Sequence, residues 1–147
     1  MKRNHSRGFT LVEILIVVII LGILAAIVIP QFTNASNDAR NNSVASTLQT
    51  IRSQIELFKI QHSDKAPNLG TSWVIMTNKS TTTEIGSAAG TGTNFGPYLQ
   101  QPPVNPANGQ SAVGAAAATT VGWVYSYSGG AYTISAVDTT GTGTLPY

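Results

Sequence analysis

From Phe9 to Ile29 the chain reads FTLVEILIVVIILGILAAIVI, 21 residues with a single charge, Glu13. A helix of that length spans about 31 Å, enough to cross the hydrocarbon core of a bilayer. Nothing else in the 147 residues limits the fold so strongly, because a helix apolar on every side must be covered by lipid or by other helices. Lys2, Arg3 and Arg7 stand before it, and the positive-inside rule puts that flank in the cytoplasm and everything beyond Pro30 outside. A secretory signal peptide is the rival reading, but its apolar region runs about 7–15 residues and closes on an A-x-A-like site. Here Ala25-Ala26 is followed by more Ile and Val.

A plain anchor does not explain Glu13. A carboxylate inside a membrane helix costs roughly 3 kcal/mol on insertion scales, less near the helix end, where it reaches the headgroups. Two readings follow: the acid snorkels to the interface, or it meets a cation supplied by another chain. The isolated helix does not choose between them.

Charge elsewhere is sparse. The formal net charge is +2, and its source lies in the first eight residues. Without them, Arg40, Arg52, Lys59, Lys65 and Lys79 face Glu13, Asp38, Glu56, Asp64, Glu84 and Asp138, a balance of five against six. No basic cluster survives in the remainder, which argues against nucleic-acid binding. The chain has no cysteine, so neither disulfides nor thiolate-ligated metals hold it together.

Past Pro30, which removes a helical hydrogen bond and should kink the helix, the pattern turns one-sided. Val44, Leu48, Ile51, Ile55 and Phe58 recur every three or four residues, the spacing of a helix that covers a core. An intermolecular coiled coil is the lesser alternative, since the stripe is short for a sustained heptad. The segment from His62 to Pro67 ends the helix. A helix from Phe9 to His62 would run about 81 Å if unbroken. Residues 64–120 then read as a polar connection in which Trp73-Val74-Ile75-Met76 forms a short strand or a buried helical turn, and Ser80 to Thr93 an exposed, mobile loop. Asn108-Gly109 marks a tight turn. Gly122 to Tyr127 and Ala131 to Val137 are strands joined at Ser128-Gly129-Gly130 as a hairpin, with Trp123, Tyr125 and Tyr127 on one face against the helix. Residues 138–147 form a Thr/Gly-rich tail.

Catalytic patterns are missing. Beyond the leader His62 is the only histidine, a residue type that near a helix end is usually exposed or capping. There is no nucleophile elbow, phosphate loop or paired-histidine metal motif, and the carboxylates are scattered. The residues predict neither an enzyme nor a cofactor.

Gly8-Phe9-Thr10-Leu11-Val12-Glu13, after a short basic leader and before an apolar helix, resembles the class III signal of type IV pilins and type II secretion pseudopilins. The resemblance rests on Gly ending the leader, Phe starting the mature chain and Glu fifth in it, with Gly22 and Pro30 at the positions of a flexible glycine and a kinking proline. It implies an α+β, pilin-like fold: a long N-terminal helix, transmembrane in its first half, packed on a small C-terminal antiparallel sheet. In those terms residues 1–8 are a cleaved leader, 9–30 the membrane and filament-core helix, 31–63 the amphipathic helix, 64–120 a variable region, 121–137 the sheet hairpin and 138–147 the tail.

The same resemblance implies that a prepilin peptidase cuts between Gly8 and Phe9 and N-methylates Phe9, and that Glu13 of one subunit pairs with the Phe9 amine of its neighbour. Expected partners are further copies of the chain in a helical polymer, other pseudopilins or pilins, the peptidase, an inner-membrane assembly platform, and membrane lipid before assembly. Tyr98 to Gly109 is similar to the segment preceding the sheet of major pseudopilins, with Asn105-Pro106-Ala107 in place of the commoner Asp-Pro-Trp. Major pseudopilins bind calcium near that sheet; here Asp138 is the one acid of the last sixty residues, and a single carboxylate makes a weak site for a hard cation. The function implied is that of a pseudopilin in a secretion filament between two membranes. A type IV pilin of a surface fibre for adhesion, motility or DNA uptake is the alternative, and a membrane-tethered binding module that never polymerises is a third.

Overall fold

The computed structural model describes residues 8–86 and 92–147. Residues 1–7 of the expected leader, with Lys2, Arg3 and Arg7, and residues 87–91 of the Ser80–Thr93 loop lie outside the described residues. Five elements follow in order: α1 (Leu11–Gln61), α2 (Val74–Thr77), β1 (Val113–Gly114), β2 (Trp123–Ser128) and β3 (Ala131–Ala136). The chain divides into two compact units between Ala39 and Arg40.

The first unit is the apolar part of α1. Its side chains from Leu11 to Ile29 are exposed, and α1 is long and apolar enough to cross a membrane. The helix runs on through Pro30, although a proline there has no N–H to give the preceding turn. Thr33 Oγ1 donates to the Ile29 carbonyl at 3.2 Å.

The second unit is a head built on the rest of α1. The five residues of α1 that are buried are Val44, Leu48, Ile51, Ile55 and Phe58, the stripe set out by the sequence. Against them lie Trp123, Tyr125, Ile134 and Ala136 from the sheet. The strands are ordered β1-β2-β3. β2 and β3 form the expected hairpin, from Trp123↔Ala136 to Ser128↔Ala131, turning on Gly129 and Gly130 at φ +59° and +93°, the pair of left-handed residues that a tight type I′ hairpin requires. β1 joins parallel to β2, Val113 opposite Trp123, so the sheet is mixed rather than wholly antiparallel. A two-residue strand has too little periodicity to announce itself; only its long-range partner defines it.

The region 64–120 is less of a mere connection than its polarity suggests. It buries Ala66, Leu69, Trp73, Ile75, Met76, Tyr98 and Val113, and Trp73-Met76 resolves as the helical turn rather than a strand. Aromatic residues are fixed here by their polar tips, as buried Trp and Tyr require: Trp73 Nε1 donates to the Ser111 carbonyl at 2.7 Å, Tyr98 Oη to Gln61 Oε1 at 2.6 Å, and Tyr125 Oη to the Pro67 carbonyl. α1 stops where Ser63 and Asp64 enter the left-handed region, φ 56° and 61°, with Asp64 N–H reaching back to the Lys59 carbonyl at 2.9 Å. Such a left-handed end satisfies the last carbonyls of a helix.

His62 departs from expectation: it is fully buried. Its ring stacks on Phe58 at 3.7 Å, with Phe95 and Tyr98 edge-on. Nδ1 lies 2.8 Å from the Phe58 carbonyl, and since a carbonyl only accepts, Nδ1 donates there, while Nε2 lies 2.9 Å from Ser80 Oγ. Ser80, expected in an exposed loop, is likewise fully buried and pairs its backbone with Phe95. The architecture is α+β and pilin-like.

Candidate assembly site at the start of α1

Gly8 and Phe9 precede the helix in the open. A Cβ built on Gly8 would meet nothing within 4 Å, and Phe9 is 82% exposed. Thr10 begins the helix: its carbonyl accepts the first helical bond, from Ile14 N–H at 3.3 Å. Its hydroxyl oxygen accepts from Glu13 N–H at 3.2 Å. In return Glu13 Oε2 accepts from Thr10 N–H at 3.2 Å and from Thr10 Oγ1 at 3.2 Å. This is a reciprocal capping box, which satisfies two of the donors a helix start leaves orphaned. The Thr-x-x-Glu spacing before an apolar run was legible in the sequence, but an account of Glu13 as a membrane charge alone passes over it.

The box uses Oε2 and leaves Oε1 of an exposed carboxylate. Among the described residues Glu13 forms no ion pair; both ion pairs there belong to Lys59, with Glu56 at 3.1 Å and Asp64 at 3.7 Å. The geometry therefore brings together Gly8, Phe9, Thr10 and Glu13 at one open helix end. Gly22 and Pro30 lie further along α1 and are not part of this cluster; a Cβ at Gly22 would also meet open space.

Residues 3–29 match the family model of the prokaryotic N-terminal methylation motif. This is a prepilin-type N-terminus. The chain is 36% identical over 63 residues to type II secretion system core protein G of Klebsiella michiganensis, covering 43% of this chain and 44% of that protein. It is 37% identical over 62 residues to the protein of the same name from Pseudomonas aeruginosa, 42% of this chain and 44% of that one. It is also 37% identical over 57 residues to the type IV narrow pilus major component PilA5 of Thermus thermophilus, 39% of this chain and 49% of that one. The matches span less than half the length of each of these relatives. No solved structure matches the chain. The chain thus resembles the type IV pilin-like proteins, major pseudopilins among them.

The residues do not fit the calcium site that this resemblance implies. Asp138 is half-buried at the end of the sheet. Its Oδ1 accepts from Thr140 N–H at 3.0 Å, Thr140 Oγ1 at 2.8 Å and Thr142 N–H at 3.2 Å. The Thr140 bond, the largest influence, and the backbone donors around it hold this carboxyl below its usual range. With three donors on Oδ1, the carboxylate has one oxygen left to offer, whereas a hard cation wants several oxygen ligands, carboxylates among them. Among the described residues no three His, Cys, Asp or Glu gather as ligands.

The contact between His62 Nε2 and Ser80 Oγ has the length of an activated nucleophile–base pair. Both residues are fully buried and the ring is stacked on Phe58, so no substrate reaches the hydroxyl. The pair ties the end of α1 to the following loop.

Proposed function

We propose that this chain is a structural filament subunit, a pseudopilin of a type II secretion system that polymerises into a periplasmic pseudopilus driving protein export. A prepilin peptidase at the cytoplasmic face cuts between Gly8 and Phe9 and methylates the new amine. The subunit then waits in the inner membrane as a single-pass protein, N-terminus cytoplasmic and head periplasmic, with lipid covering Leu11 to Ile29. On assembly, neighbouring copies replace lipid around this helix, and the Phe9 amine of one subunit meets Glu13 of the next. Pairing removes much of the cost of holding two charges in a low-dielectric filament core, while the Thr10 box keeps the carboxylate oriented beforehand. Gly22 and Pro30 give the helix points of bending as it packs. Other pseudopilins and an inner-membrane platform are its partners; catalysis and nucleic-acid binding form no part of the role.

The observation that carries this reading is an exposed apolar stretch of α1, Leu11 to Ile29, whose one carboxylate sits within a matched N-terminal methylation motif. Similarity to two secretion system core proteins G favours the secretion branch. The equal identity to a narrow-pilus major component supports the second reading, a surface fibre. Deleting the gene and measuring exoprotein release beside surface fibres separates them: the proposal predicts retained exoproteins and intact fibres. Normal release with lost fibres would overturn it in favour of the pilus.

A further inference from the structure

Asp138 is the one acidic residue of the last sixty, and its Oδ1 is already committed within its own turn. Asp138 Oδ1 takes the three donors described above. The turn's backbone is closed as well: Asp138 N–H donates to the Gly143 carbonyl at 3.0 Å, and Gly141 N–H to the Asp138 carbonyl at 3.3 Å. Asp138 Oδ2 faces the backbone of Gly143, where an added Cβ would stand 3.1 Å away. Gly141 is buried at φ +75° against the Ala118–Thr119 backbone; a Cβ on it would lie 2.6 Å from Thr119 Cα.

A second device lies beside the turn. Asn105 is fully buried, and its Nδ2 donates to the carbonyls of Gly122 and Val137, each at 2.8 Å, while its Oδ1 accepts from Ala107 N–H at 2.9 Å. Two carbonyl oxygens converging on one point attract either a donor or a cation. A carboxylate in place of this amide would repel both oxygens and need a cation to bridge them. The carboxamide supplies the two protons itself. Around the seam, the carbonyls of Val137, Asp138 and Gly143 each accept a hydrogen bond from the protein itself.

We propose that this head closes its C-terminal turn without a metal ion, the Asp138 hydrogen bonds and the Asn105 carboxamide taking the place that calcium holds in the pseudopilins it resembles. The subunit then folds equally well where calcium is scarce and where it is plentiful. This holds whichever filament the subunit enters, since it concerns only the head.

The test is thermal unfolding of the purified full chain in detergent, in chelator and in millimolar calcium chloride. The expected midpoint is the same in both. Asp138→Ala lowers it by several degrees in both, and Asp138→Asn, which keeps an acceptor at Oδ1, retains most of the wild-type midpoint. A midpoint that rises with calcium in the wild type, with the rise abolished in Asp138→Asn, would overturn the proposal.

Discussion

Glu13 shares one oxygen with Thr10 and leaves the other open at the start of an exposed apolar helix. In a lone helix the capping box accounts for the carboxylate locally; what it does not require is the exposed apolar surface on every side of it. The two roles are compatible, because an N-terminal box satisfies the helix's own donors while the free oxygen remains for a neighbour's amine. Glu13→Ala is therefore expected to leave the protein in the membrane fraction at wild-type amounts, since the apolar surface is untouched, yet to be absent from sheared filaments. Quantitative blotting of the two fractions measures this. Equal incorporation of the variant would contradict the assembly role given to Glu13.

At the scale of elements, the outer part of α1 and the hairpin hold the head together. Phe58 is fully buried, stacked on His62 and edge-on to Tyr98 at 5.2 Å. Phe58→Ala should cost the head about 3–5 kcal/mol, read from denaturant unfolding followed by Trp73 and Trp123 fluorescence; a loss below about 1 kcal/mol contradicts this packing. The stripe that includes Phe58 was legible because helical periodicity is a local signal, and the hairpin because Gly129-Gly130 demands its own backbone. β1 was not, being two residues that become a strand only beside Trp123. His62 was not either: polarity and position suggest the surface, and its second ring nitrogen finds its partner only in Ser80, eighteen residues on, beside the local Phe58 carbonyl. The start of α1 was legible in full as a charge pattern and in part as a structure, the Thr10 box being present in the letters but weighed only as an anchor with an acid.

Across the whole molecule, charge and apolar surface are segregated: basic residues crowd the first eight positions, and the C-terminal part of the head is held by hydroxyls, amides and tyrosines. Tyr132 links β3 to α1 through a bond from its Oη to Glu56 Oε1 at 3.0 Å. Burial first, then the bond and charge of Glu56, push this phenol up to about 12, and burial also raises Tyr125. A raised acid keeps its proton longer when folded than when unfolded, so its contribution is complete below about pH 10. It is lost as pH climbs from there toward about 12. Denaturant melts across this window should show falling stability, and Tyr132→Phe should flatten part of the fall. A flat wild-type profile would contradict the account of this contact. The filament claim itself is tested most directly at the N-terminus of the native protein. Mass spectrometry of the chain from a peptidase-competent host is expected to show residues 1–8 removed and one methyl group on the amine of Phe9; an intact leader with an unmodified Phe9 would contradict it.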